Sequence, residues 1–249
     1  MMIYSDNIRI GVLVLPGAQL LDTASIDIFG TASRQYFESI AAVPRPIVQK
    51  APNVSIIYIS NVTAGDSIPV TSAMKLHCDH HFSEPSVKPG ELDILLVPGN
   101  DPDRQADDNL SAWLAAHGKD QTTDILSVCT GLYLCGWARL LKGRKVCGPR
   151  PQQLDLKQKF ADQNATFLGH ELRWVQDGNF WSSGSYCAFS YNRSKANYLN
   201  NFFFKGSISN GIDLVAAYLR SSGKWPKEVA EFAIQFAEVG DRPQSYGRD

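Results

Sequence analysis

The sequence predicts an α/β fold, a three-layer, doubly wound domain with a mostly parallel sheet. Apolar runs without alternation recur along the chain, and segments with helical spacing lie between them. Strands that are apolar throughout are typical of a parallel sheet covered by helices on both faces. Two of the runs end in Pro-Gly, at Pro16-Gly17 and Pro98-Gly99, a pair that marks a turn after a strand. We expect right-handed crossovers between the strands.

The elements follow in chain order. β-branched and apolar runs predict strands at residues 8–15, 55–60, 92–97, 125–128, 145–147 and 166–168. Residues 70–77 predict a short strand or one arm of a hairpin, and residues 172–176 and 179–182 a hairpin turned by Asp177-Gly178. Helical spacing of apolar residues predicts helices at 20–36, 107–117, 131–141, 152–160, 212–219 and 226–239.

Composition narrows the classes of function. Hydrophobic residues make up 44% of the 249 residues and charged ones 20%, which is typical of a folded globular protein and excludes a disordered one. The net charge is −1 and neither sign forms a block, so we expect neither a nucleic acid nor a membrane as partner. No secretory signal or membrane-spanning run is visible. Five irregularly spaced cysteines without a CxxC pair indicate reduced thiols and a cytoplasmic protein.

The sharpest chemical pattern is Ser127-Val128-Cys129-Thr130-Gly131, at the carboxyl end of a predicted strand. Ligands of open α/β sheets bind at this edge. A cysteine between a buried strand and a helix, with small residues two positions to each side, is typical of a nucleophile elbow. Free N–H groups at the start of the helix would stabilise its thiolate. The alternative is a buried cysteine that only fills space, and the elbow pattern favours the nucleophile.

Two other strand-end loops carry polar residues. Asp22 follows the first strand, where it either caps a helix or exchanges a proton with a nucleophile or a water. Gly99 and Asn100 follow the third strand, and a backbone N–H from this loop could join that of Thr130 in an oxyanion hole. A plain Pro-Gly turn explains this loop as well.

The histidines fit neither a metal site nor a catalytic triad. Those at positions 77, 80 and 81 lie in a loop-like run without zinc-ligand spacing, and His117 is expected at the end of a surface helix, where the helix dipole favours it. No histidine lies on a predicted strand-end loop. The sequence therefore predicts a cysteine–carboxylate site with no metal and no other cofactor.

Together these segments resemble the ThiJ/PfpI family of the class I glutamine amidotransferase-like superfamily, over nearly the whole chain. The resemblance rests on Leu-Pro-Gly-Ala-Gln-Leu-Leu-Asp at 15–22, Leu-Asp-Ile-Leu-Leu-Val-Pro-Gly at 92–99 and Ser-Val-Cys-Thr-Gly at 127–131, with support from 140–144, 181–184 and 211–213. It implies a flavodoxin-like fold and a homodimer. Cys-Thr in place of Cys-His is similar to the isonitrile hydratase-like branch, and Cys-Gly-Pro-Arg at 147–150 resembles a fungal subgroup.

This branch implies hydration of an isonitrile, a small-molecule substrate, to an N-substituted formamide. The resemblance makes Cys129 the nucleophile and Asp22 the acid/base, with Thr130 beside the nucleophile. The residues expected at the oxyanion hole and pocket are Gly99, Asn100, Gly131 and Arg150. Two alternatives stay open: a redox or electrophile sensor in which Cys129 is oxidised and nothing turns over, and the family's glyoxalase or deglycase activity, against which the missing histidine argues.

One segment, residues 185–206, fits no periodic pattern. We expect residues 1–249 to form a single domain with this segment as an atypical insertion, because in the family the preceding strand runs almost directly into the next helix. The segment is either a lineage-specific loop, acting as a lid or an oligomer contact, or a translated intron. Cys187 lies within it without an assignable role, and Cys147, at a strand end, either lines the pocket or packs in the core.

Overall fold

The structure is a computed structural model that describes residues 6–184 and 209–247. The expected insertion at 185–206, with Cys187, lies outside these residues. The strands, in chain order, are β1 (Asn7–Leu13), β2 (Asn53–Ser60), β3 (Ser67–Pro69), β4 (Lys75–His77), β5 (His80–His81), β6 (Ile94–Val97), β7 (Asp124–Val128), β8 (Lys145–Val146), β9 (Thr166–Phe167), β10 (Trp174–Asp177) and β11 (Phe180–Ser183). The helices are α1 (Leu20–Thr23), α2 (Asp27–Thr31), α3 (Arg34–Glu38), α4 (Arg45–Lys50), α5 (Asp108–Lys119), α6 (Gly131–Trp137), α7 (Gln153–Lys159), α8 (Asn210–Ser221) and α9 (Lys227–Phe236).

The main sheet of the described chain has seven strands in the order β10-β11-β7-β6-β1-β2-β5. Every neighbouring pair is parallel except the β10–β11 hairpin, which is antiparallel. The central strands β1, β6 and β7 are buried along most of their length, as continuous apolar runs predict for a sheet covered on both faces. Their carboxyl ends lie side by side, which brings together the loops after residues 13, 97 and 128.

Helices cover both faces of this sheet. On one face, α2, α8 and α9 pack through a core that includes Phe29 and Tyr218, whose rings meet edge to face at 5.8 Å. On the other face, α5, α6 and α7 contribute Leu110, Leu132 and Leu156 to a second core. Each fully buried side chain of this size stabilises the fold by about 1.5–3 kcal/mol. The predicted three-layer α/β fold with a mostly parallel sheet is confirmed.

The helix predicted at 20–36 is divided into α1, a 3₁₀ turn (Ala24–Ile26), α2 and α3. The chain leaves the helical conformation at Ala32 and Ser33, and the Ser33 hydroxyl then accepts a hydrogen bond from the Tyr36 N–H (3.1 Å) that caps α3. The apolar spacing continues across the breaks because Ile28 and Phe37 face the same core. Helix α4 was not predicted, because it has six residues and its core contacts come from the adjacent Ile47 and Val48, which do not make a helical spacing.

Two expectations about histidines were wrong. His80 and His81 form β5, which pairs with β2 at the edge of the sheet, rather than a loop. His117 is fully buried rather than exposed at the end of a surface helix. Its Nε2 donates a hydrogen bond to the Val87 carbonyl (3.0 Å), and its ring meets that of Trp113 at 4.5 Å. A position near the end of a helix does not determine which face of the helix the residue occupies. Burial of the imidazole lowers the pKa of His117.

Within residues 6–184 and 209–247, no helix combines the length and the apolar character needed to cross a membrane.

Candidate active site

Cys129 lies at the tight turn between β7 and α6. Its φ is +58°, in the left-handed region that costs a residue with a side chain about 1–3 kcal/mol. The Cys129 N–H donates to the Ser183 carbonyl at the end of the neighbouring strand (3.1 Å). Gly131 allows the turn, because a Cβ at this position would collide with the Val97 carbonyl oxygen. The side chain of Cys129 is fully buried.

Asp22 and Thr130 converge on the same point, the α-carbon of Gly99. A Cβ at position 99 would collide with Oδ2 of Asp22 and would lie 2.8 Å from Oγ1 of Thr130. Asp22 is fully buried in α1 and does not cap the helix, whose N-cap is Gln19. The carboxyl group therefore reaches the loops that follow β6 and β7, and the capping interpretation of Asp22 is wrong.

Hydrogen bonds lock the three strand-end loops together. The Thr130 hydroxyl donates to the Asn100 carbonyl (2.7 Å), and the Asn100 side-chain amide donates to the Leu15 carbonyl (3.3 Å). The Gln19 N–H donates to the Gly99 carbonyl (2.9 Å). The polar groups contributed by β1, β6 and β7 are thus held in fixed positions relative to one another.

The backbone N–H groups of Gly99, Asn100 and Thr130 donate to no acceptor within the described residues. All three residues line one cavity. Unused donors in fixed loops at a cavity wall are what an oxyanion hole requires, so the geometry permits the expected hole.

This cavity has a volume of about 300 Å³. It opens at the carboxyl edge of the sheet, and its described lining residues are Gly17, Gln19, Thr71, Gly99, Asn100, Asp101, Pro102, Asp103, Thr130 and Gln152. Cys129 directly precedes the lining residue Thr130, and Asp22 lies behind Gly99. Pockets at this edge are the expected ligand sites of open α/β sheets.

Of the residues expected at the oxyanion hole and pocket, Gly99 and Asn100 line the cavity, while Gly131 and Arg150 are not among its described lining residues. The Arg150 guanidinium lies 4.3 Å from the centre of the Tyr246 ring and donates to the His170 carbonyl (3.4 Å). Gln152, two residues on, lines the cavity instead. Tyr246 is remote in sequence, so no local pattern indicates that it binds this arginine.

The sequence analysis did not single out several cavity residues. Gln19 and Asp101 lie in strand-end loops that the edge rule already indicates, so reading each loop in full would have found them. Thr71 comes from the turn between β3 and β4, and its hydroxyl accepts a hydrogen bond from the Leu20 N–H (2.9 Å). The rule that ligands bind at the carboxyl ends of the central strands does not predict Thr71, because this turn lies elsewhere in the chain.

A charged network supports the cavity wall from the side of α7. The Lys159 ammonium lies 3.0 Å from Oδ1 of Asp103 and 3.6 Å from Oδ2 of Asp155. Burial lowers the pKa of Lys159, but the two carboxylates outweigh it and raise the pKa overall. The Tyr133 hydroxyl donates to Asp155 (2.6 Å), and burial followed by this bond raises the pKa of Tyr133.

Two other cysteines, Cys135 and Cys147, are buried in surroundings that fit a structural role. Cys135 is fully buried, and burial raises the pKa of its thiol to about 12. Cys147 is also buried, and its thiol donates to the Leu172 carbonyl (3.5 Å), which fits core packing. Burial raises the pKa of Cys147 as well. Among the residues with described positions, no three His, Cys, Asp or Glu side chains are grouped to hold a metal ion.

Solved structures similar to this chain come from the ThiJ/PfpI and DJ-1 proteins. A ThiJ/PfpI family protein from Pseudomonas syringae superimposes with a TM-score of 0.66 at 19% identity, over 96% of this chain and 78% of the other. DJ-1 from Schizosaccharomyces pombe gives 0.60 at 12% identity, over 93% and 100%. An AraC family transcriptional regulator from Pseudomonas putida gives 0.63 at 16% identity, over 92% and 99%.

No protein-family model matches the sequence, and no curated protein matches it. The structural likeness, at identities below 20% for these three proteins, shows the fold alone. The chain therefore has the doubly wound fold of the ThiJ/PfpI and DJ-1 proteins.

Proposed function

We propose that the chain is a cysteine-dependent enzyme that adds water to a small molecule, and that its reaction is the hydration of an isonitrile. One observation carries this proposal: Cys129 sits in a strained left-handed turn, between a strand and a helix, beside a cavity wall. Strain of this kind is concentrated at functional sites, and a nucleophile elbow requires it. The shared fold supports the proposal further, because the ThiJ/PfpI and DJ-1 proteins include cysteine-dependent enzymes and sensors.

In the proposed mechanism, the Cys129 thiolate attacks the terminal carbon of R–N≡C, forming the C–S bond. Asp22, protonated at the start, delivers its proton to that carbon, which gives the thioimidate R–N=CH–S. The Asp22 carboxylate then takes a proton from water as the water oxygen bonds to the carbon, and passes this proton to the nitrogen. As the C–S bond breaks, Asp22 takes the remaining hydroxyl proton. The formamide R–NH–CHO leaves, and the thiolate and protonated Asp22 are restored.

The backbone donors have a defined part in this scheme. Negative charge develops on oxygen as the tetrahedral intermediate collapses, and Asn100 and Thr130, which carry the proposed N–H donors, line the same cavity wall. Donors that are already oriented stabilise such charge without reorganisation, typically by about 2.7–4 kcal/mol for one donor. Thr130 would act through its backbone, because its hydroxyl is already engaged with the Asn100 carbonyl.

The test is turnover of isonitriles by the wild-type chain and by Cys129→Ala and Asp22→Asn. We expect Cys129→Ala to lower kcat/KM by at least about 10³-fold, because no covalent intermediate can form. Cys135→Ala is the matched control: it makes the same change of side chain at another fully buried thiol, which lies within α6 and away from the strained turn at Cys129. It should retain turnover, and circular dichroism should show all variants folded.

Wild-type-like rates in Cys129→Ala would refute the proposal. If the wild-type chain turns over no isonitrile, peroxide treatment and intact mass distinguish the sensor alternative, through selective gain of two oxygens at Cys129. Dicarbonyl substrates, assayed alongside, test the glyoxalase or deglycase alternative.

A further inference from the structure

We propose that Asp101 makes the candidate site selective for charge, so that its substrates are uncharged or carry an amino group and anionic molecules are rejected. This inference rests on the proposed function, since it concerns the molecules that reach Cys129.

The first observation is the charge of the cavity wall. Among its described lining residues, the charged side chains are the two carboxylates of Asp101 and Asp103, and no Lys, Arg or His lines it. The other polar side chains are the neutral ones of Gln19, Thr71, Asn100, Thr130 and Gln152. A wall with carboxylates and without a cation offers no ion pair to a carboxylate or phosphate group of a ligand.

The two carboxylates are not equivalent. Asp103 is neutralised by Lys159, whose ammonium lies 3.0 Å from Oδ1. Asp101 forms no ion pair with a cation of the described residues, and one of its oxygens, Oδ1, only accepts a hydrogen bond from the Asp103 N–H (3.0 Å). The uncompensated charge of the cavity wall is therefore that of Asp101.

Asp101 is also held in place. Its N–H donates to Oδ1 of Asn100 (2.7 Å), and Asn100 is fixed by the Leu15 carbonyl and by the Thr130 hydroxyl. The nearest arginine in sequence forms no ion pair with Asp101: the Arg104 guanidinium donates to the Pro16 carbonyl (2.9 Å) and lines a separate cavity. The backbone that carries the exposed Asp101 carboxylate is thus held on the same loop as Gly99 and Asn100.

Size limits the substrate further. A volume of about 300 Å³ lies at the lower end of small-molecule pockets, so a charged group on a bound ligand cannot be far from Asp101. Two unit charges about 4 Å apart in water interact strongly enough to change affinity roughly fivefold. We expect an effect of this order, with opposite sign for ammonium and carboxylate groups.

The experiment uses three alkyl isonitriles of equal chain length that end in a methyl, an ammonium or a carboxylate group. Relative to the methyl compound, the wild-type chain should prefer the ammonium compound and disfavour the carboxylate compound in kcat/KM. Asp101→Asn should move both ratios roughly fivefold towards unity, lowering the ammonium ratio and raising the carboxylate ratio. Raising the ionic strength should have a similar effect on wild type, because salt screens exposed charges.

Glu91→Gln is the control, because it removes the same unit of charge beside Arg9, at the opposite end of the sheet. It should leave the ratios unchanged, and equal effects of Glu91→Gln and Asp101→Asn would refute a local role for Asp101.

Binding of the same three compounds to Cys129→Ala separates the two proposals, since this variant needs no turnover. If the wild-type chain turns over none of the three compounds but Cys129→Ala still binds them with the charge preference, the proposed function alone is overturned. Equal binding of all three, or binding of none, would overturn the charge selectivity.

Discussion

At the scale of single residues, the candidate site depends on close backbone contacts that only small residues allow. Gly131 packs against the carbonyl oxygens of Val97 and Pro98, so a Cβ at this position would collide with backbone atoms rather than with a side chain that could move. Val97 belongs to β6, which is paired on both sides and cannot shift easily. The turn at Cys129 therefore has little freedom to adapt.

We predict that Gly131→Ala lowers the free energy of unfolding by about 1–3 kcal/mol, the usual cost of overpacking. Urea denaturation measures it. Gly30→Ala is the matched control, because the nearest atom to its Cβ would be Ile56 Cδ1 at 3.8 Å, an ordinary contact. In a helix this change should be neutral or stabilising by up to about 1 kcal/mol. Equal stability of both variants would contradict the prediction.

The sequence indicated the convergence of the site residues because one rule of parallel sheets covers them. Cys129, Asp22 and Gly99 each follow a different central strand, so their loops must meet at one edge. Arg150 was expected at the pocket by resemblance, but its position depends on Tyr246, 96 residues further on by their numbers. Contacts between distant segments leave no pattern in the local sequence.

At the scale of elements, periodicity identified the faces of helices more reliably than their ends. The segment 20–36 keeps helical spacing although it is divided into four pieces, because these pieces face one core. Helix α5 was located correctly, but His117 was placed on the wrong face. A helix-dipole argument addresses the charge at a helix end, while burial against Trp113 and Val87 decides the protonation here.

The burial of His117 predicts a pH dependence of stability. Burial lowers its pKa in the folded state below the ordinary value of 6.5, so between the two values the unfolded chain binds more protons. Stability should therefore be complete above about pH 6.5 and fall as the pH drops below it. His117→Gln should flatten this part of the profile of unfolding free energy against pH, measured by urea denaturation. His77→Gln, at a side chain that is 66% exposed, is the control and should not; indistinguishable slopes in wild type and His117→Gln would contradict the assignment.

At the scale of the whole molecule, the last described residues join segments that are far apart in the sequence. The Arg173 N–H donates to the Gln244 carbonyl (2.7 Å), and the Tyr246 N–H donates to the Glu171 carbonyl (2.9 Å). These two hydrogen bonds fix the loop before β10 to the segment 244–246. The single domain and the homodimer expected from the sequence stay predictions.

Tyr246 is the centre of this connection, and its removal gives the final prediction. Its ring lies between the guanidinium groups of Arg150 and Arg173, at 4.3 and 4.4 Å, and its hydroxyl accepts a hydrogen bond from the Asn210 side-chain amide (2.7 Å). Tyr246→Ala removes the ring and both cation–π contacts, so we expect a loss of about 2–3 kcal/mol in the free energy of unfolding.

Tyr246→Phe keeps the ring and should lose only about 1 kcal/mol, the typical net contribution of one hydrogen bond. Urea denaturation of both variants separates the two contributions, with the m-value as a check that the unfolded state is unchanged. If Tyr246→Ala stays within about 0.5 kcal/mol of wild type, a range typical of surface substitutions, the segment 244–246 only rests on the surface. If Tyr246→Phe costs as much as Tyr246→Ala, the hydroxyl rather than the ring holds this segment, because the ring is the part that the two variants do not share.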